Sequence, residues 1–102
     1  MDKKVITLNL TDCKTWDDFY ERIRLAFGFP EWFGKNLPAF WDLLSTECDA
    51  DELHIIGVNS LSKDLYEELS RVYLVLDKFV DDTRQEHELY NDIPIFSYKI
   101  EN

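Results

Sequence analysis

Three short stretches of β-branched and large apolar residues stand far apart in the chain: KVITLNL from Lys4 to Leu10, ELHIIGV from Glu52 to Val58, and IPIFSYKI from Ile93. No tight turn joins segments so widely separated, and the spans between them carry apolar residues at helical rather than alternating spacing. Strands separated by helical crossovers lie parallel, with right-handed connections. The expectation is an α/β fold, a three-stranded parallel sheet packed with three to four helices. No internal repeat, low-complexity segment or linker divides the chain, and residues 1–102 read as a single domain.

Within the first stretch Val5, Thr7 and Asn9 alternate with Ile6, Leu8 and Leu10, the pattern of a strand with one buried face. Thr15 then caps a helix. Asp17 and Asp18 fall in its positively polarised first turn, and Trp16, Phe19, Tyr20, Ile23 and Phe27 recur on one side. Gly28 and Pro30 end it. A second helix opens after Asn36, with Pro38 in the first turn, where backbone amides have no intrahelical partner to lose. From Ser62 a long helix buries Leu65, Leu69, Val72, Leu76 and Phe79 or Val80, and a break near Ser60 admits a short extra helix before it. The polar run DDTRQEHELYND, Asp81 to Asp92, reads as a frayed helix end or a loop, and Pro94 fits only the start or edge of the last strand.

Charge narrows the function. Twenty-one acidic residues against 11 basic ones give a net charge of −10, which repels nucleic acid and anionic membrane surfaces and leaves a basic protein as the natural partner. Cys13 and Cys48 stand at no metal-ligand spacing and form no Cys-x-x-Cys pair, so both read as reduced thiols, and neither metal nor cofactor is expected. The N-terminal MDKKVITLNL lacks a cleavable apolar signal and no apolar run is long enough to cross a bilayer, so the expected location is the cytoplasm. His54, in an apolar strand, reads as a satisfied core histidine and His87 lies in a polar run. Neither has a spaced Cys, Ser or carboxylate partner, so the chain is not expected to be an enzyme.

The most unusual segment is FPEWFGKNLPAFWDLL, Phe29 to Leu44. On a helix from Leu37, steps of about 100° gather Leu37, Phe40, Leu43 and Leu44 on one face and turn Asp42 almost directly away from it. Trp41 falls on the border, as a core lid or an interface anchor, while Pro38 and Ser45 flank Asp42 on the outside. Gly34-Lys35-Asn36 is explained as a tight turn and cap. Trp32 sits on the loop before it, where a large aromatic either packs on the first helix or serves an interface.

From Leu25 to Leu44 the sequence LAFGFPEWFGKNLPAFWDLL resembles the signature of the barstar family, intracellular inhibitors of secreted guanyl-preferring ribonucleases of the barnase type. The resemblance lies in the string Pro-Glu-aromatic-aromatic-Gly-x-Asn-Leu followed by Trp-Asp, Pro30 through Leu44, placed after a first strand and helix. It implies a barstar-like fold, and a second helix and preceding loop that plug the enzyme's active site in a 1:1 complex. On that resemblance Asp42 is the central acidic residue, entering the basic catalytic pocket in place of a substrate phosphate. Trp32 and the adjoining Phe33, with Gly34, Asn36, Pro38 and Trp41, form the rest of the partner-binding surface. Two departures stand out: Pro38 replaces a second acidic residue of the binding helix, and Glu47 a tryptophan of the contact loop. An acidic contact from the long helix falls to Asp81 or to Asp77. A barstar-fold immunity protein acting on a different toxin nuclease, and a non-inhibitory binding module, remain the alternative functions.

Overall fold

The computed structural model describes residues 3–92 and 94–101. Strands β1 (Val5–Asn9), β2 (Glu52–Ile56) and β3 (Ser97–Glu101) form one parallel sheet in the order β1-β2-β3. Helices α1 (Trp16–Phe27) and α2 (Leu37–Glu47) lie between the first two strands; a single 3-10 turn at Val58–Ser60 and α3 (Lys63–Leu89) lie between the last two. The expected three-stranded parallel α/β architecture is therefore present, including a short helix at the break before α3.

The strand register places Thr7, His54 and Lys99 in one cross-sheet row and Leu8, Ile55 and Ile100 in the next. Because side chains alternate, one face carries Leu8, Leu53 and Ile55 into the core while Val5, Thr7 and Asn9 face outward. His54 belongs to the outward row. It is half-buried rather than a core residue, and its Nε2 pairs with the carboxylate of Glu52.

Local signals fix both early helices. The Thr15 hydroxyl accepts from the Asp18 amide at 3.0 Å, and the Asn36 side chain accepts from the Ala39 amide at 2.8 Å. Trp16 differs from expectation: it stands 49% exposed at the rim of the apolar stripe, its ring 5.7 Å from that of Tyr20.

The end of α3 and the start of β3 also differ from the sequence reading, and for one reason. Thr83 is buried; its hydroxyl donates to the Val80 carbonyl and accepts from the Phe96 amide, both at 3.0 Å. That bond spends the Phe96 amide on α3, so pairing with β2 begins only at Ser97. It also needs Thr83 to be helical, and the polar residues after it carry the helix on to Leu89, where the Tyr90 amide caps onto the Glu86 carbonyl at 2.7 Å. The run expected as a frayed end or loop is thus mostly helix. Ile93, where the strand was expected to open, lies outside the described residues.

One polar cluster ties α1 to α3 through the core. The Tyr20 hydroxyl donates to Glu68, which is 3% exposed, and the other Glu68 oxygen accepts from Arg71 Nη1 at 3.0 Å. Burial, reinforced by the neighbouring carboxylate, pushes the Tyr20 phenol far above its ordinary pKa.

Candidate functional site

The loop before α2 is held by its aromatic residues. Phe29 stacks on Phe27 with centroids 5.1 Å apart, Phe33 lies 5.5 Å from Phe29 and 6.1 Å from Tyr20, and Phe40 of α2 closes the cluster 5.6 Å from Phe27. Phe33 is consequently a core residue at 4% exposure. The sequence reading places it in the partner-binding surface; in the structure the turn closed by the Phe33 amide on the Pro30 carbonyl (3.0 Å) sends its ring inward. Trp32 is turned out, 75% exposed.

Asn36 caps α2 as expected, but the turn before it is built otherwise than Gly34 suggests. Its left-handed residue is Lys35, at φ 53°, anchored by an ion pair of 2.8 Å from Nζ to Asp17 of α1. Gly34 serves close approach instead: a Cβ there would lie 3.1 Å from the Ala39 Cβ.

Helix α2 buries Phe40, Leu43 and Leu44 and leaves Pro38, Asp42 and Ser45 exposed along an outer ridge. The hydroxyl of Ser45 turns back to the Trp41 carbonyl at 2.8 Å, and that of Thr46 to the Asp42 carbonyl at 2.6 Å. The Asp42 carboxylate itself has no ion pair or hydrogen bond among the described residues. Nor does α2 explain it as a helix former: Asp42 is the central residue of the helix, outside the first turn where the macrodipole would favour a carboxylate.

A hollow lies on each side of the ridge. Toward the loop, one of about 360 Å³ is bordered by Trp32, Gly34, Asp42, Thr46 and Glu47. Toward α3, one of about 310 Å³ is bordered by Leu37, Pro38, Trp41, Leu74, Val75 and Lys78. Trp41 is half-buried between ridge and core, with Lys78 Nζ 4.2 Å above its ring centroid. Trp32, Gly34 and Asp42 thus border one hollow and Pro38 and Trp41 the other, while Asn36 caps the helix between them.

The two acidic candidates of α3 are placed differently. Asp77 accepts from the Tyr98 hydroxyl at 2.6 Å, which commits it to β3. Asp81 is exposed one turn beyond Lys78, 3.8 Å from Arg84. The α3 carboxylates that share a hollow with Ser45 are Asp82 and Glu86, and sequence reasoning missed both. It missed Lys78 and Leu74 as well. The signal lay in the α3 stripe, since residues 74, 75, 78 and 82 lie on one side of a helix whose core face is Leu65, Leu69, Val72 and Leu76, but choosing that side needs the packing partner. Both cysteines are free thiols, Cys13 fully buried, and burial raises the pKa of each.

With this geometry in view, comparison with known families is decisive. Residues 3–91 match the family model described as Barstar (barnase inhibitor), and the chain belongs to that family. Membership implies a barnase-inhibitor type of function, with a ribonuclease as the class of partner, and the family's members are inhibitors rather than enzymes. A search of curated proteins finds no significant match. No helix among the described residues is long and apolar enough to cross a membrane.

Proposed function

We propose that this protein is a cytoplasmic inhibitor that plugs the basic active site of a secreted or toxin ribonuclease in a 1:1 complex, with Asp42 as the central contact. The observation that carries the reading is the unpartnered Asp42 carboxylate, exposed on the ridge of a helix whose other face is locked into the core. A site built to hold a phosphodiester concentrates Arg, Lys and His, and a rigid carboxylate accepts charge-assisted hydrogen bonds from such a cluster. Trp32, 75% exposed beside it, supplies an aromatic anchor that excludes water and strengthens those bonds. The net charge of −10 draws a basic enzyme in and speeds encounter. The chain binds and covers; it performs no chemistry and needs no cofactor.

Inhibition titrations of barnase-type ribonucleases with wild type and Asp42→Ala test this. Truncating one partner of a desolvated charge pair costs about 2–5 kcal/mol, a range drawn in good part from barnase–barstar complexes themselves. The expected result is a large loss of inhibition, mostly as faster dissociation, with an unchanged melting temperature. A destabilised Asp42→Ala protein that still inhibits at full strength refutes the assignment.

A further inference from the structure

We infer that the hollow between α2 and α3 is a specificity pocket of the same inhibitory surface, taking an apolar side chain of the ribonuclease while an enzyme carboxylate next to it meets Lys78. The inference rests on the inhibitory reading and adds to it what the partner carries beyond its basic centre.

Continuity is the first argument. Pro38 and Asp42 stand one helical turn apart on the same ridge, about 6 Å along the axis, and Pro38 borders the hollow. A stable complex covers about 800 Å² on each partner, far more than one ridge offers, so an enzyme seated on Asp42 also lies over the hollow. The lining is the second. Leu74 is 69% exposed at the rim, and a lone exposed leucine needs no explanation. Here it is contiguous with Leu37, Pro38, Trp41 and Val75, an apolar patch at the edge of an otherwise charged face.

Charge is the third. Lys78 has no ion pair among the described residues and rests instead on the Trp41 ring, 4.2 Å from its centroid. A cation at this place repels any basic enzyme whose own surface is positive there, and accepts one that presents a carboxylate. Discrimination by repulsion needs such a group. The replacement of an acidic residue by Pro38 has the same sense: the contact one turn before Asp42 is apolar, and the charged group that borders the same hollow is the cation of Lys78.

The experiment measures inhibition and dissociation rates for wild type, Asp42→Ala, Leu74→Asp and Lys78→Glu. The probe is whichever purified barnase-type ribonuclease of a panel the wild type inhibits most tightly, and melting curves and sedimentation equilibrium accompany it. Leu74→Asp and Lys78→Glu are each expected to weaken inhibition roughly 10- to 100-fold, with melting temperatures close to wild type because both side chains are exposed. Lys78→Glu separates this idea from simple steering, since an extra negative charge should tighten binding to a basic enzyme if Lys78 has no carboxylate to meet. Tighter or unchanged inhibition by both variants, alongside loss of inhibition in Asp42→Ala, overturns the pocket and leaves the inhibitory reading standing. A wild-type dimer that Leu74→Asp dissociates without affecting inhibition assigns the hollow to a second copy and also overturns it. If no enzyme of the panel is inhibited, or Asp42→Ala is silent, the inhibitory reading falls and takes the pocket with it.

Discussion

Replacing Tyr20 by phenylalanine removes one oxygen from the interior and tests whether the buried polar cluster supports the fold. The ring stays in place against Phe19, Phe33 and Trp16, so packing changes little. Glu68, however, keeps only the Arg71 bond at 3.0 Å and loses the donor to its other oxygen while remaining 3% exposed. A hydrogen bond to a charged group contributes about 1.5–3 kcal/mol, and the unsatisfied carboxylate oxygen places the loss within that range, near 2 kcal/mol. At about 4–8 °C per kcal/mol for a domain of this size, the melting temperature falls by roughly 8–16 °C. Urea unfolding followed by far-UV circular dichroism at neutral pH measures the difference.

A second pH makes the test sharper. The unfolded phenol ionises near pH ~10, whereas Tyr20 in the fold holds its proton well above that, so the native state binds more protons there. The contribution is complete below about pH 10 and is lost as pH rises toward the raised folded value. Wild type should therefore lose stability above about pH 10, and the gap to Tyr20→Phe should narrow. Burial also pushes Tyr73 up to about 12 and raises Tyr98, so the variant's curve keeps a slope of its own. A gap below about 0.5 kcal/mol at neutral pH, or one that widens as pH rises, refutes the account.

Two further substitutions probe the frame of the site. Gly57 has φ 78°, and a Cβ there would lie 2.3 Å from the Thr11 backbone nitrogen; Gly57→Ala is expected to destabilise by roughly 2 kcal/mol or more, since strain adds to a clash with backbone that cannot step aside. A melting temperature equal to wild type would contradict it. Asn36→Ala removes the 2.8 Å cap on the Ala39 amide and should cost about 1 kcal/mol of stability, read by the same unfolding curves, and a neutral result would mean that water replaces the cap without loss.

What the sequence made legible is what local chemistry decides. The alternation of β1, the caps at Thr15 and Asn36, and the outward turn of Asp42 opposite Phe40, Leu43 and Leu44 depend on residues a few positions apart, and all appear where expected. The misses share a different cause. The length of α3 and the late start of β3 follow from a bond between Thr83 and Phe96, partners distant in the chain. Glu68 looks like a surface residue until Tyr20 arrives from α1 to satisfy it. Phe33 and Trp32 are equivalent as sequence; only the aromatic cluster decides which one points in. Lys78 meets Trp41 because two helices lie side by side, an orientation no spacing rule encodes.

The same division between near and distant determinants explains how such a surface can change partners without losing its fold. The residues that hold α2 in place are Asn36 at its start and Phe40, Leu43 and Leu44 beneath it. None of the three apolar anchors lies on the outer ridge, and the exposed Asp42 and Glu47 carboxylates make no hydrogen bond or ion pair among the described residues that holds the fold. Because their backbone is fixed, little conformational entropy remains to be lost on binding, and this preorganisation favours the charged contact proposed for Asp42 in particular. A carboxylate facing a phosphodiester site is useful against any ribonuclease, since every such enzyme must bind the same anion. Residues at the margin meet no such common requirement. Pro38, Leu74 and Lys78 can therefore diverge at almost no cost to stability, and it is there that an inhibitor with a shared central acid can acquire a partner of its own.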